Sequence, residues 1–429
     1  MTVQETSLAA PERADVRRPG LGVGGGTALY AGAVLGPGVL TLPSLAAAAA
    51  GPASILAWVA LLAMCVPVAA SFAALGARFP DGGGVATYVH RAVGPRAAAV
   101  VGWWFYGAAP LAVVSAAWIG GKYVAEATGW GDTGAAVVAG AVLAGSLAAN
   151  AVGLRMSGRV QLLLVGLLAA VLLCTVLAAA PQVTADHFTP FMPGGWSAVG
   201  SAASVLFFAF AGWESASHLS GEFTDPARDL PRVTRRTLAV ITVLYLGLAV
   251  VTIGVLGPSA ADTDTPLTEL LARSAGPAAR PVAAAAALFL TFGAVNSCLA
   301  GASRLGAALG RDGAGPRWLA KGGTPGQVPR RSLAVLGGAA LLAGTAAGVG
   351  GAGLDMLMRV TATCLAAVTL AGLAAALVLL PRRTPLWCGV LASSLLTAAV
   401  LAFSGWLLVV PLVLACAAFG FLTLRRIRR

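Results

Sequence analysis

Twelve stretches of this chain are apolar over a length that crosses a bilayer, and no other feature restricts its fold as much. They lie at about 24–46, 52–76, 97–124, 133–153, 159–180, 197–220, 234–256, 280–306, 332–350, 354–380, 384–402 and 404–424. Lipid offers no partner to a backbone N–H or C=O, so each stretch has to form helix and the helices have to assemble into a bundle. The connections are short, which leaves no room for an inserted soluble domain. Of the 429 residues, 58% are hydrophobic and 10% are charged, against about a quarter charged in soluble domains. The expected fold class is an all-α polytopic membrane protein with about 12 transmembrane helices.

The formal charge of +12 has a topological explanation. Counting basic residues on alternate sides puts all but four of the 28 on the side of the N-terminus, leaving Lys122, Arg273, Arg280 and Arg359 on the other. That asymmetry predicts both termini in the cytoplasm. It accounts for the charge without a nucleic-acid partner. Arg425, Arg426, Arg428 and Arg429 then form a C-terminal anchor for anionic lipid at the cytoplasmic face. The N-terminus is polar through Gly20 and carries no short apolar core with a cleavage site, so it does not read as a signal peptide. The six cysteines fall in six different apolar stretches and read as small core residues. The three histidines lack metal-ligand spacing, and no metal or other cofactor is expected.

Two apolar stretches carry residues that break a helix near mid-membrane. Span one contains Gly36-Pro37-Gly38, where glycine is permissive and proline removes a donor. Span six contains Gly212-Trp213-Glu214, which also sets a carboxyl group deep in the apolar run. Such breaks are tolerated only where they face protein or a watery cavity. Five spans separate them, the spacing of two five-helix repeats of opposite orientation. The organisation expected is a cytoplasmic tail 1–23, a first repeat 24–180, an extracytoplasmic loop 181–196, a second repeat 197–380, two further helices in 384–424 and a basic C-terminus 425–429.

Four stretches resemble the amino acid–polyamine–organocation transporters: Gly32–Pro43 (GAVLGPGVLTLP), Arg78–Gly94, Phe207–Arg232 and Asn296–Pro316. The second is similar to that family's loop after span two, and the fourth to the end of span eight. A narrower likeness, carried by the wording of span six and by Asp-Pro-Ala-Arg-Asp-Leu-Pro-Arg, is to bacterial exporters of methionine and branched-chain amino acids. The resemblance implies a substrate site between the broken helices, with the carboxylate on backbone amides from Gly36 through Gly38 to Val39. It implies carbonyls near Val34, Phe208 and Ala211 for the ammonium group, with Leu35 in the same unwound stretch and Gly212 as pivot. Phe208 stands where the family places an aromatic lid. Pro37 departs from the Ser or Thr common between the glycines and removes one amide from the carboxylate's grip.

Glu214 has two readings, a proton carrier in the transport cycle or a cap for amides freed at the break. His218 lies one turn on and can face it. Asn296 reads as an ion or substrate contact or as a helix–helix hydrogen bond. Gly166 takes the place of a lysine found in some proton-coupled relatives. Glu222, Asp225, Arg228, Asp229 and Arg232 read as a cytoplasmic latch, and Asp355 with Arg359 as a pair at the outer mouth. Trp103, Trp104, Phe105 and Tyr106 make span three aromatic. With few intramembrane charges, a neutral apolar amino acid is the expected substrate. The function expected is secondary active export of methionine, leucine, isoleucine or valine by proton antiport with alternating access, as a monomer or homodimer. The alternatives are an importer or exchanger and, from another class, a channel; no activated nucleophile, metal set or charged dyad in the spans suggests an enzyme.

Overall fold

A computed structural model describes residues 22–80, 84–153, 158–210, 212–217, 220, 223–323, 327–350 and 353–427. Span one is two half-helices, α1 (Val23–Val34) and α2 (Leu42–Ala50), joined by a tight turn over Pro37–Leu40. Gly51, with φ of 58°, reverses the chain into α3 (Ser54–Arg78). A short helix α4 (Val85–Val93) precedes α5 (Pro95–Thr128), followed by α6 (Gly131–Ala151) and α7 (Gly158–Ala179). Span six is again two pieces, α8 (Gly195–Phe210) and α9 (Trp213–Ser217). Next come α10 (Pro226–Val251), the short α11 (Pro266–Ala275), α12 (Arg280–Asp312), α13 (Arg330–Gly350) and α14 (Leu354–Leu379). The last two helices are α15 (Pro385–Phe403) and α16 (Val409–Ile427).

Among the described residues, ten helical stretches are long and apolar enough to cross a membrane. One of them, Leu42–Arg78, joins the second half of span one to span two, and span six is divided into pieces too short to qualify. Counting both broken spans gives twelve crossings. The loop expected over 181–196 ends slightly earlier, because α8 starts at Gly195. The segments holding α4 and α11 read as connections in the sequence, yet both fold as helix.

The repeat shows in which helices touch. Exchange α1–α2 with α8–α9, α3 with α10, α4 with α11, α5 with α12, α6 with α13 and α7 with α14, and the pairings reproduce themselves. For example, α1 lies on α10 as α8 lies on α3, and α4 lies on α14 as α11 lies on α7. Five crossings per repeat make the second run opposite to the first. The helices α5 and α12 lie against each other; at 34 residues α5 is about 51 Å long, well beyond the hydrocarbon thickness. Outside the repeat, α15 lies on α3, α8 and α14, while α16 lies on α5.

Small residues allow the close approach that membrane packing relies on. A Cβ on Gly121 of α5 would stand 2.2 Å from the carbonyl oxygen of Ala135 in α6, so the backbones meet there. Gly140 on α6 has nothing within 4 Å of the same point. Gly121→Ala is therefore expected to destabilise the purified protein by about 1–3 kcal/mol, and Gly140→Ala to leave it unchanged. Thermal unfolding in detergent measures both; equal melting temperatures would contradict the α5–α6 contact.

Candidate functional site

The first break is built from backbone geometry. Helix α1 stops at Val34, and Leu35 takes φ −73° and ψ 69°, an inverse γ-turn that the Gly36 N–H closes onto the Val34 carbonyl at 2.8 Å. Pro37 then opens a turn whose N–H groups point back along the chain, Val39 to Gly36 O at 3.3 Å and Thr41 to Gly38 O at 3.1 Å. The two glycines face opposite ways. Nothing lies within 4 Å of a Cβ on Gly36, which lines a cavity with Val34, Leu35 and Pro37. On Gly38 a Cβ would stand 2.7 Å from the Phe208 ring, so this glycine is the seat of that ring. Val39 is fully buried.

The second break lies against the first. Helix α8 ends at Phe210, and the Gly212 N–H turns back to Phe210 O at 3.1 Å. A Cβ on Gly212 would be 2.5 Å from Ala33 O and 2.6 Å from Val34 Cα, so only glycine lets the two backbones touch. Phe208, half-buried, lines the cavity above Gly38. Ala211, His218 and Glu222 lie outside the described residues.

A residue that sequence reasoning passed over links the breaks. Tyr245 of α10 directs its hydroxyl at Val34 O, 2.8 Å, and at Ala209 O, 3.1 Å. Glu214 lies behind the site and is not among the residues lining the cavity. Its carboxylate accepts from the Thr369 hydroxyl of α14 and from its own backbone N–H, and its carbonyl accepts from Ser217 at 2.6 Å. Asn296 also turns from the cavity: its Oδ1 accepts from Asn150 of α6 at 2.8 Å, the helix–helix bond of the second reading.

The cavity has a volume of about 1790 Å³. Around the breaks its walls are apolar or small: Phe105, Ala109, Ala112 and Val113 of α5, Val165 of α7, Leu290, Gly293 and Ala294 of α12, and Leu365 of α14. Its charged lining is confined to one end of the bundle, where His90, Arg96, Arg304, Arg311, Asp312 and Arg425 stand. Phe419 and Leu422 of α16 complete the wall there. Only Phe105 of the aromatic band on span three lines the cavity. Trp103 donates to Ala314 O and Trp104 to Pro411 O, both at 2.7 Å, and Tyr106 bonds Ser332, so these rings staple α5 to its neighbours. A Cβ on Gly166 meets nothing within 4 Å.

The other end of the bundle is closed by polar contacts. The Tyr123 hydroxyl donates to Leu40 O at 2.7 Å and accepts from the Leu267 N–H at 3.3 Å. Lys122 pairs with Asp132 and Asp264, each at 2.8 Å, and Thr41 donates to Asp264 O at 3.3 Å. Arg359 bonds Asp355 as its spacing predicts, and also reaches Ser201 and Ser204 of α8, so it ties α14 to span six. Asp225 caps the start of α10 by accepting from the Arg228 N–H.

Comparison with known proteins agrees with this architecture. A profile of the amino acid permease family matches residues 22–423. An uncharacterised amino acid permease of Bacillus subtilis, YecA, is 34% identical over 397 residues, 92% of this chain and 94% of the relative. The L-methionine/branched-chain amino acid exporter YjeH of Escherichia coli is 31% identical over 54% of this chain and 55% of its own. The branched-chain amino acid permease BcaP of B. subtilis is 30% identical over 69% of this chain and 68% of its own.

One native thiol reports on the cavity. Cys298 of α12 lines it, and Gly301, one turn nearer the charged end, has open space around it. In a variant keeping Cys298 as its sole cysteine, a water-soluble maleimide supplied at the Arg96 end should label the protein, as mass spectrometry would show. Gly301→Trp should slow that labelling about ten-fold by blocking access. Equal rates with and without the tryptophan would mean that this route does not reach Cys298.

Proposed function

The chain belongs to the amino acid permease family, and from that premise we propose that it is a secondary active transporter of neutral, apolar L-amino acids. Methionine, leucine, isoleucine and valine are the substrates, exported by proton antiport with alternating access. The observation that carries this reading is the division of the cavity. Around the two breaks it is apolar, and its charges stand only at one mouth. Half-helix ends offer amide and carbonyl groups to a zwitterion's two poles. The apolar walls favour an uncharged side chain and leave an arginine, polyamine or glutamate side chain without a partner. The relatives described as a methionine/branched-chain exporter and a branched-chain permease support the same substrate class.

In this reading the mouth lined by Arg96, Arg304 and Arg311 faces the cytoplasm, as the distribution of basic residues requires. Substrate enters from that side, with its carboxylate at the amide ends near Gly36 and its side chain toward Phe105, Phe208 and Leu290. Opening the Tyr123 and Lys122 contacts releases it on the far side. Two broken helices within one chain favour a carrier over a channel.

Counterflow in proteoliposomes tests the proposal. Wild type loaded with labelled leucine or methionine should show saturable exchange with external substrate. Gly36→Trp, which fills open space beside the breaks, should abolish it while eluting as folded protein. Folded wild type that exchanges no neutral amino acid would refute the substrate class. Leucine accumulation by inside-out vesicles under an imposed proton gradient tests direction, and accumulation by right-side-out vesicles alone would establish import. Glu214→Gln separates its two roles. A proton carrier predicts loss of gradient-driven accumulation with exchange retained, whereas a cap predicts that both persist.

A further inference from the structure

Tyr245 is fully buried in α10, with its ring edge-on to Trp58 at 5.3 Å and to Phe210 at 5.4 Å. Trp58 and Phe210 lie edge-on to each other at 5.8 Å, so three rings fix where the hydroxyl points. It points between two helix ends. Val34 is the last residue of α1, and Ala209 stands in the last turn of α8. Carbonyls in a last turn lack intrahelical donors and carry the negative end of the helix dipole. Two such ends facing one buried spot repel each other unless a donor stands between them. The phenol supplies one proton for two acceptors, at 2.8 Å and 3.1 Å. Val34 O also accepts the Gly36 N–H.

We infer that Tyr245 is a positioning residue: its hydroxyl pins the carbonyl ends of α1 and α8 together and so forms the acceptor site for the substrate's ammonium group. The inference rests on the amino-acid reading above. Neither Tyr245 nor Ala209 lines the cavity, whereas Val34 does, so the effect passes through the Val34 backbone that the hydroxyl holds. A substrate ammonium beside Val34 in the cavity brings positive charge toward the point where two negative helix ends meet. Losing the hydroxyl lets those ends separate and weakens that charge's hold, while the turn over Pro37–Leu40 keeps its own bonds, from the Val39 N–H to Gly36 O and from the Thr41 N–H to Gly38 O.

Tyr245→Phe keeps the ring and removes the hydroxyl. Expected is a KM for leucine counterflow raised about five- to ten-fold with little change in maximal rate, the worth of one buried hydrogen bond. Inhibition of that exchange by 4-methylpentanoate, which keeps the carboxylate and side chain but lacks the ammonium, should be unaltered. Tyr106→Phe serves as comparison, since it removes a hydroxyl that bonds Ser332 away from these carbonyl ends; it should leave the ratio of leucine KM to 4-methylpentanoate inhibition constant as in wild type. Should Tyr245→Phe fold poorly, 3-fluorotyrosine at 245 keeps the hydroxyl and nearly the shape while making it a stronger donor, and should lower the ratio. An unchanged ratio in a folded Tyr245 variant, or equal weakening of both ligands, would overturn the inference. Wild type without saturable exchange would instead overturn the amino-acid reading itself.

Discussion

The structure depends on one rule: a backbone polar group in lipid must find its partner inside the protein. Ten crossings obey it as continuous helix. Spans one and six interrupt their ladders, and among the described residues each interruption finds partners within the protein. The γ-turn at Leu35 and the return of the Gly212 N–H to Phe210 satisfy part of each break locally. Across the interface Tyr245 donates to both carbonyl ends, and Gly212 packs against Ala33 and Val34. The breaks therefore stabilise each other, and the cavity beside them follows from that mutual need.

Much of this was legible in the sequence, because the governing signals are local. Runs of apolar residues mark the spans, Gly36-Pro37-Gly38 and Gly212 mark the breaks, and five-span separation implies the repeat. The helices α4 and α11 were missed because each is about ten residues long and sits where a connection is expected. Their equivalence under the repeat appears only when neighbours are compared.

The site was less legible than the fold. A sequence does not say which way two glycines two residues apart will face, and here Gly36 opens to the cavity while Gly38 seats Phe208. Nor does it separate a ring that lines a cavity from one that staples helices; of four consecutive aromatics only Phe105 does the former. Asn296 carries two readings in the sequence, and its hydrogen-bond partner Asn150 lies 146 residues away in the chain. Tyr245 did leave a signal. A tyrosine inside an apolar span needs a partner for its hydroxyl, but the partners stand 211 and 36 residues away in the chain.

The wall that α16 contributes to the charged mouth has a kinetic meaning. A two-fold repeat on its own would make the two mouths equivalent, and a carrier built that way would load and unload at matched rates. Phe419, Leu422 and Arg425 belong to neither repeat and line only one mouth. In the cycle proposed above, the two half-reactions would begin from differently shaped doorways, and a helix added outside the symmetry would set unequal rates while leaving the equilibrium alone.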